Sequence, residues 1–176
     1  LIASQWAKAL GVTVIGTVGS ESKMAMAKSH GCAHVINSST EDVVARVKEI
    51  TGGKGVPVVY DGVGQATFAT SLDCLVPRGL LVSFGNASGP VTQFDLGLLA
   101  SKGSLYVTRP TLGSYVSDPD EMAETAADLI DMVQSGKVTI PVHQRYNLSD
   151  VAQAHRDLEA RKTVGASVLL PGKMDS

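Results

Sequence analysis

The run Val12-Thr13-Val14-Ile15-Gly16-Thr17-Val18 is β-branched and apolar over the length of one strand, and Gly19-Ser20 closes it as a turn. Helical character follows in Met24, Ala25, Ala27 and Lys28 until Gly31 stops it, and Ala33 to Ile36 supplies a second short strand. Ahead of the run, Ile2, Ala3, Trp6, Ala9 and Leu10 recur at helical spacing, and Gly11 ends that helix. The chain opens on Leu1-Ile2 with no Met and no capping Ser, Thr, Asp or Asn, so this first helix is expected to be already under way, with further residues upstream.

The alternation continues outward from there. Ser39 with Asp42 fits a capping box, Val43, Val44, Val47 and Ile50 make one helical face, and Gly52-Gly53 closes the helix. Val56 to Tyr60 reads as a strand, Ala66 to Leu75 as a helix, Gly79 to Phe84 as a strand leading into the loop from Gly85 to Gly89, and Ser104 to Thr108 as a strand stopped by Pro110. Asp118 caps the clearest helix, with Pro119 and Glu121 in its first turn, Met122, Ala126, Leu129, Ile130 and Val133 expected to face inward, and Gly136 at its end. A shorter helix from Ser149 to about Arg161 precedes a last strand, Ala166 to Leu170. Strands apolar on both faces that alternate with helices imply an α/β fold of the doubly wound class, with a parallel sheet covered on each side.

Composition narrows the partners. The 176 residues, 44% hydrophobic and 18% charged, suit one soluble globular domain with a short appended segment. Fifteen Lys and Arg against 17 Asp and Glu leave a net charge of −2, too little positive field to hold nucleic acid or anionic lipid. No stretch approaches the roughly 18 apolar residues of a membrane span, and the first residues do not form a secretion signal, so a cytoplasmic location is expected. Cys32 and Cys74 form no C-x-x-C pair and read as buried small hydrophobes.

A dinucleotide fold should carry Gly-x-Gly-x-x-Gly between its first strand and helix, where small residues admit a pyrophosphate. No complete copy occurs: Gly62-Val63-Gly64 is followed by Thr67 where the third glycine belongs, and Gly52-Gly53-Lys54-Gly55 fails the P-loop spacing. If Leu1 lies inside the first helix, such a loop belongs just upstream. The turn after Val18 is where these folds read the adenosine ribose, through a strand-end carboxylate for a free 2′-hydroxyl. Here Gly19 and Ser20 stand instead, with Lys23 one turn on, which suits an added phosphate, although Glu21 opposes it. Phe84-Gly85-Asn86 and Val107-Thr108-Arg109 fall at the carboxyl ends of their strands, the edge where open α/β sheets bind ligands. The four histidines show no metal spacing, no Gly-x-Ser-x-Gly elbow marks a nucleophile, and nothing singles out an acid or base among Tyr60, Asp61 and Tyr106.

Several stretches together resemble the zinc-independent, zeta-crystallin-like quinone oxidoreductases of the medium-chain dehydrogenase/reductase superfamily. They are Gln5-Trp6-Ala7-Lys8-Ala9-Leu10-Gly11, Ile15-Gly16-Thr17-Val18-Gly19, Val59-Tyr60-Asp61-Gly62-Val63-Gly64, Ser83-Phe84-Gly85-Asn86 and Lys102-Gly103-Ser104-Leu105-Tyr106-Val107-Thr108-Arg109-Pro110. The resemblance implies a Rossmann-like domain over residues 1–137 and, over 138–176, a segment belonging with a catalytic domain that lies outside this sequence. It implies NADPH as cofactor, no metal, and hydride transfer to a quinone or activated alkene. Gly19, Ser20 and Lys23 would lie near the 2′-phosphate; Phe84, Gly85 and Asn86 would line the path to the nicotinamide; Val107 and Thr108 would flank that ring; Arg161 would return toward the cofactor. Ser38 stands where relatives often carry a tyrosine near the adenosine phosphate. A homodimer through the strand at 104–108 is also implied. Two other readings compete: a non-catalytic nucleotide-binding or redox-sensing module, and an alcohol dehydrogenase or enoyl reductase of the same superfamily.

Overall fold

Every strand pairing among the described residues is parallel, as expected where each strand is followed by a helix rather than a hairpin turn. The structure, a computed structural model, describes residues 1–160 and 162–172. Helix α1 (Ile2–Ala9) leads to β1 (Ile15–Val18), and a short 3-10 turn, Glu21–Lys23, opens α2 (Met24–Ser29). Then come β2 (His34–Asn37), α3 (Val43–Ile50), β3 (Val56–Asp61), α4 (Phe68–Asp73), β4 (Leu75–Ser83), α5 (Gly97–Ser101), β5 (Tyr106–Thr108), α6 (Leu112–Tyr115) and α7 (Pro119–Gln134). The last elements are β6 (Val142–Asn147), α8 (Val151–Glu159) and β7 (Ala166–Leu170).

The strands form three ladders: β1 with β2, β3 with β4 and β5, and β6 with β7. β1 and β3 are not hydrogen-bonded to each other, yet they share a core. Ile15 from β1 and Val56 and Val59 from β3 pack on the buried cluster of Ile36, Val47 and Cys74. β2 is covered on both faces, since its neighbours Val35 and Ile36 point opposite ways and both are buried. The second cluster joins Leu72 of α4 to Leu75 and Leu81 of β4 and to Leu105, with Phe68 and Leu99 packed against it. Burying Leu72 and Leu81 this fully stabilises the fold by about 1.5–3 kcal/mol each. The opposite face of that ladder is open, with Val58, Tyr60 and Tyr106 exposed.

Several boundaries differ from expectation for identifiable reasons. The cap of α3 is Asp42, which accepts from the Ala45 amide at 3.0 Å, while the Ser39 hydroxyl donates to Asn37 Oδ1 at 2.7 Å. Pro77-Arg78-Gly79 looks like a turn but lies inside β4: Arg78 adopts φ 61°, and the pairing with β3 jumps from Leu75 to Leu80 across this bulge. The preceding helix is correspondingly short. β5 begins only at Tyr106, because Ser104 takes φ 57° and Leu105 turns into the core. Asp118 caps α7 as expected, accepting from the amides of Asp120 and Glu121, and Gly136 leaves it at φ +72°. Its apolar stripe does not face inward, however. Met122 and Ile130 are half exposed and Ala126 is exposed, while Leu129 is half-buried, so capping fixes this helix locally and its stripe is only partly covered. Leu158 of α8 is likewise exposed. Cys74 is buried, but Cys32 is only half-buried.

The Gln5 side chain joins α1 to the segment after α7. Its amide donates to the Thr139 carbonyl at 2.9 Å and accepts from the Thr139 N–H at 3.0 Å, beside the fully buried Val138. Among the described residues no helix is long and apolar enough to cross a membrane.

Candidate functional site

Parallel ladders gather the residues that follow each strand at one end, and the residues expected to meet a ligand stand there. Val18 pairs opposite Asn37, so β1 and β2 end side by side. Ser38 is anchored at that end, its N–H donating to the Val18 carbonyl at 2.9 Å and its hydroxyl to the same oxygen at 3.1 Å. The structure thus brings Ser38 against the turn at Gly19 and Ser20. Ser20 is extended, with φ −161°, its hydroxyl lies 3.0 Å from that of Ser22, and its carbonyl accepts the Lys23 N–H at 3.1 Å. Lys23 closes this 3-10 turn, half-buried, and no described acidic residue forms an ion pair with it. A Cβ on Gly19 would meet nothing within 4 Å, and its φ is not positive, so the fold does not require glycine there.

Phe84, Gly85 and Asn86 leave β4 directly, with Gly85 half-buried and Phe84 and Asn86 exposed. Val107 and Thr108 lie in β5 opposite Leu81 and Val82. Arg109 donates its guanidinium to the Ser83 carbonyl at 2.9 Å, which ties the ends of β4 and β5 together. Arg161, expected to reach back toward the same region, lies outside the described residues. No group of three or more His, Cys, Asp or Glu side chains among the described residues could hold a metal ion.

One centre was not evident from the sequence. Asp61, the last residue of β3, is 5% exposed and accepts from the amides of Val63 (2.8 Å) and Gly64 (3.0 Å) and from the hydroxyls of Thr67 (2.8 Å) and Ser71 (2.7 Å). Burial pushes its carboxyl up, but the bonds from Gly64, Ser71, Thr67 and Val63 outweigh that and hold it below the usual value. The available signal was an Asp two residues before an amide it can capture as an Asx-turn, with Thr and Ser spaced on the following helix. The loop it organises carries the one beside it: Ser88 donates both its N–H and its hydroxyl to the Val63 carbonyl at 2.8 Å, and Gln65 N–H donates to Gly89 at 3.0 Å. Gly64 at φ +89° and Gly85 are the points of closest approach, where any Cβ would meet the Gly89 and Gly62 backbones.

Comparison with known proteins bears on this arrangement. The family model described as zinc-binding dehydrogenase matches residues 1–132. Quinone oxidoreductase of Pseudomonas aeruginosa is 56% identical over 97% of this chain and 53% of its own length. The 2-haloacrylate reductase of a Burkholderia species is 46% identical over 94% of this chain and 50% of its own. Among solved structures, Escherichia coli quinone oxidoreductase complexed with NADPH superposes with a TM-score of 0.93 at 52% identity, covering 97% of this chain and 53% of that one. The Pseudomonas syringae quinone oxidoreductase also gives 0.93, at 54% identity over 97% of this chain and 52% of that one. The chain spans about half the length of the relatives it matches. Its parallel α/β architecture, the residues gathered at the strand ends and the match over residues 1–132 agree: the chain belongs to the zinc-binding dehydrogenase family, in the quinone oxidoreductase branch of the medium-chain dehydrogenases/reductases.

Proposed function

We propose that the chain binds NADPH and serves an oxidoreductase that reduces a quinone or an activated alkene. The observation that carries this reading is the convergence of Gly19, Ser20, Lys23 and Ser38 at the shared end of β1 and β2, with hydroxyls and a cation where a carboxylate would select NADH. Donor chemistry fits the group: Ser20 offers a hydroxyl to a 2′-phosphate, Ser38 can offer another once its hydroxyl turns from the Val18 carbonyl, Lys23 offers charge, and Gly19 leaves the backbone open. Phe84, Gly85 and Asn86 hold the nicotinamide end, with Val107 and Thr108 beside it. When bound, the cofactor supplies the hydride; the residues of this chain orient it and keep water from it. The E. coli relative's complex with NADPH and the haloacrylate reductase relative support the cofactor and the alkene half of the substrate class.

In the same reading residues 1–137 form the nucleotide-binding domain and 138–176 belong with a catalytic domain. The free outer edge of β5 is where two copies of the chain pair. The test is titration of NADPH and NADH against the natural protein and its Lys23→Ala and Gly19→Ala variants. Loss of Lys23 should weaken NADPH about tenfold and leave NADH unchanged, since a hydrogen bond to a charged group contributes about 1.5–3 kcal/mol. Gly19→Ala should weaken NADPH without lowering stability. A parent that prefers NADH refutes the assignment.

A further inference from the structure

Asp61 is buried with no cationic partner among the described residues, a costly arrangement that a simple turn does not need. One carboxylate oxygen would suffice for the Asx-turn to Val63 and Gly64, yet both are used, the second for Thr67 and Ser71. Thr67 is the N-cap residue of α4, and its hydroxyl makes no capping bond because it is turned to Asp61. The helix thus forgoes the local stabilisation of a side-chain cap, and its first turn is referenced to this carboxylate instead. The Asp61 carbonyl also accepts the Phe84 N–H at 2.9 Å, so the exit of β4 is set from the same residue.

What rests on Asp61 is the pair of loops at the strand ends. Residues 62–66 are held by the carboxylate, and residues 84–89 are stitched to them through Val63 with Ser88, Ala66 with Ser88, and Gln65 with Gly89. We infer that Asp61 is the positioning residue of the nicotinamide-side platform: by hydrogen-bond geometry it fixes the height and angle at which Phe84, Gly85 and Asn86 meet the cofactor. This rests on the NADPH reading above. Asp61 itself touches no reacting atom; it acts through the two loops.

The experiment compares Asp61→Ala, Asp61→Asn and Leu72→Ala in the natural protein, by fluorescence titration with NADPH, thermal melting, and hydrogen exchange over residues 62–67 and 84–89. Leu72 is a buried residue of the same helix and serves as a stability control. Asp61→Ala should raise the NADPH dissociation constant about tenfold or more and speed exchange in both loops together. Asn keeps one acceptor for the two amides and can donate to both hydroxyls, so Asp61→Asn should stay within about threefold of the parent. Leu72→Ala should melt at least as early and bind as the parent does. Parent-like binding by Asp61→Ala, equal loss in Leu72→Ala, or failure of asparagine to rescue would each overturn the inference. Should Asp61→Ala not fold, Thr67→Val and Ser71→Ala each remove one donor and should loosen both loops; exchange confined to residues 62–67 would refute the coupling. A parent that binds no NADPH would instead sink the cofactor reading, while the exchange data still decide whether Asp61 couples the loops.

Discussion

Replacing Gly85 by alanine places a methyl group 2.8 Å from the carbonyl carbon and Cα of Gly62, and closer still to its oxygen. Ordinary contact begins near 3.4 Å and the oxygen is the tightest obstacle, so the β4 exit must move away from the β3 exit by about 1 Å. The obstacle is backbone and cannot rotate aside, and the bonds that join the two loops oppose the movement, among them Phe84 N–H to Asp61, Ser88 N–H to Val63 and Gln65 N–H to Gly89. Overpacking of this kind costs about 1–3 kcal/mol, and each kcal/mol lowers the melting temperature of a domain this size by about 2–4 °C. NADPH binding should weaken as well, because the displaced exit carries Phe84, Gly85 and Asn86. Differential scanning fluorimetry and NADPH titration on the same preparations read both effects. Gly113→Ala is the control, since that helical glycine has an ordinary φ and a Cβ there meets nothing within 4 Å, and it should lower neither. If Gly85→Ala bound NADPH within about twofold of the parent, the platform formed by the two loops would have no part in holding the cofactor.

Acid stability should depend on Asp61. Its carboxyl lies below the ordinary value of 3.8, so its contribution is complete above that pH and is lost as pH falls through the lower folded value. Urea midpoints should therefore drop from about pH 4 downward, and Asp61→Asn should flatten that part of the curve; an unchanged acid slope in the variant would refute the assignment. The thiols should be inert in the folded protein: burial, with Asp73 adding to it, pushes Cys74 up to about 11, and burial also raises Cys32. A disulfide reagent at pH 8 should label both only on unfolding, and rapid labelling of native Cys74 would contradict the packing. Tyr106→Lys, on the exposed edge strand β5, should shift light scattering toward monomer if that edge pairs two copies, and an unchanged mass would exclude it.

Periodicity carried most of the fold, and the places where it failed share a cause. Gly11, Gly31, Gly52 and Gly136 all take positive φ where a helix was expected to end, because that backbone preference is local. Pro77-Arg78-Gly79 misled because bulge and turn use the same residues, and only the partner strand distinguishes them. The inward face assigned to α7 failed for the complementary reason: an amphipathic stripe states which side wants cover and not whether a neighbour supplies it. Of the candidate site, Ser20 and Gly85 could be named from their position after strands, a rule of topology, and Ser38 only from the family resemblance. Asp61 was not, since its meaning depends on Thr67 and Ser71 arriving on the next helix and on Ser88 reaching across from another loop.

The all-parallel pairing also sets the order in which the chain acquires structure. With no hairpin among the described strands, every ladder joins strands separated by a helical connection, α2 for β1 and β2, α4 and α5 for the central three and α8 for β6 and β7, so these connections are expected to order first and the sheets late. The clasp between Gln5 and Thr139 joins residues 134 positions apart, yet the entropy of closing a loop grows only slowly with its length, so it costs little more than a nearer pairing. Its bonds are exposed, and exposed bonds open well before a domain unfolds as a whole. Helix α1 and the stretch around Thr139 are thereby expected to detach as one cooperative unit, exchanging their amides together while the cluster around Leu81 stays protected.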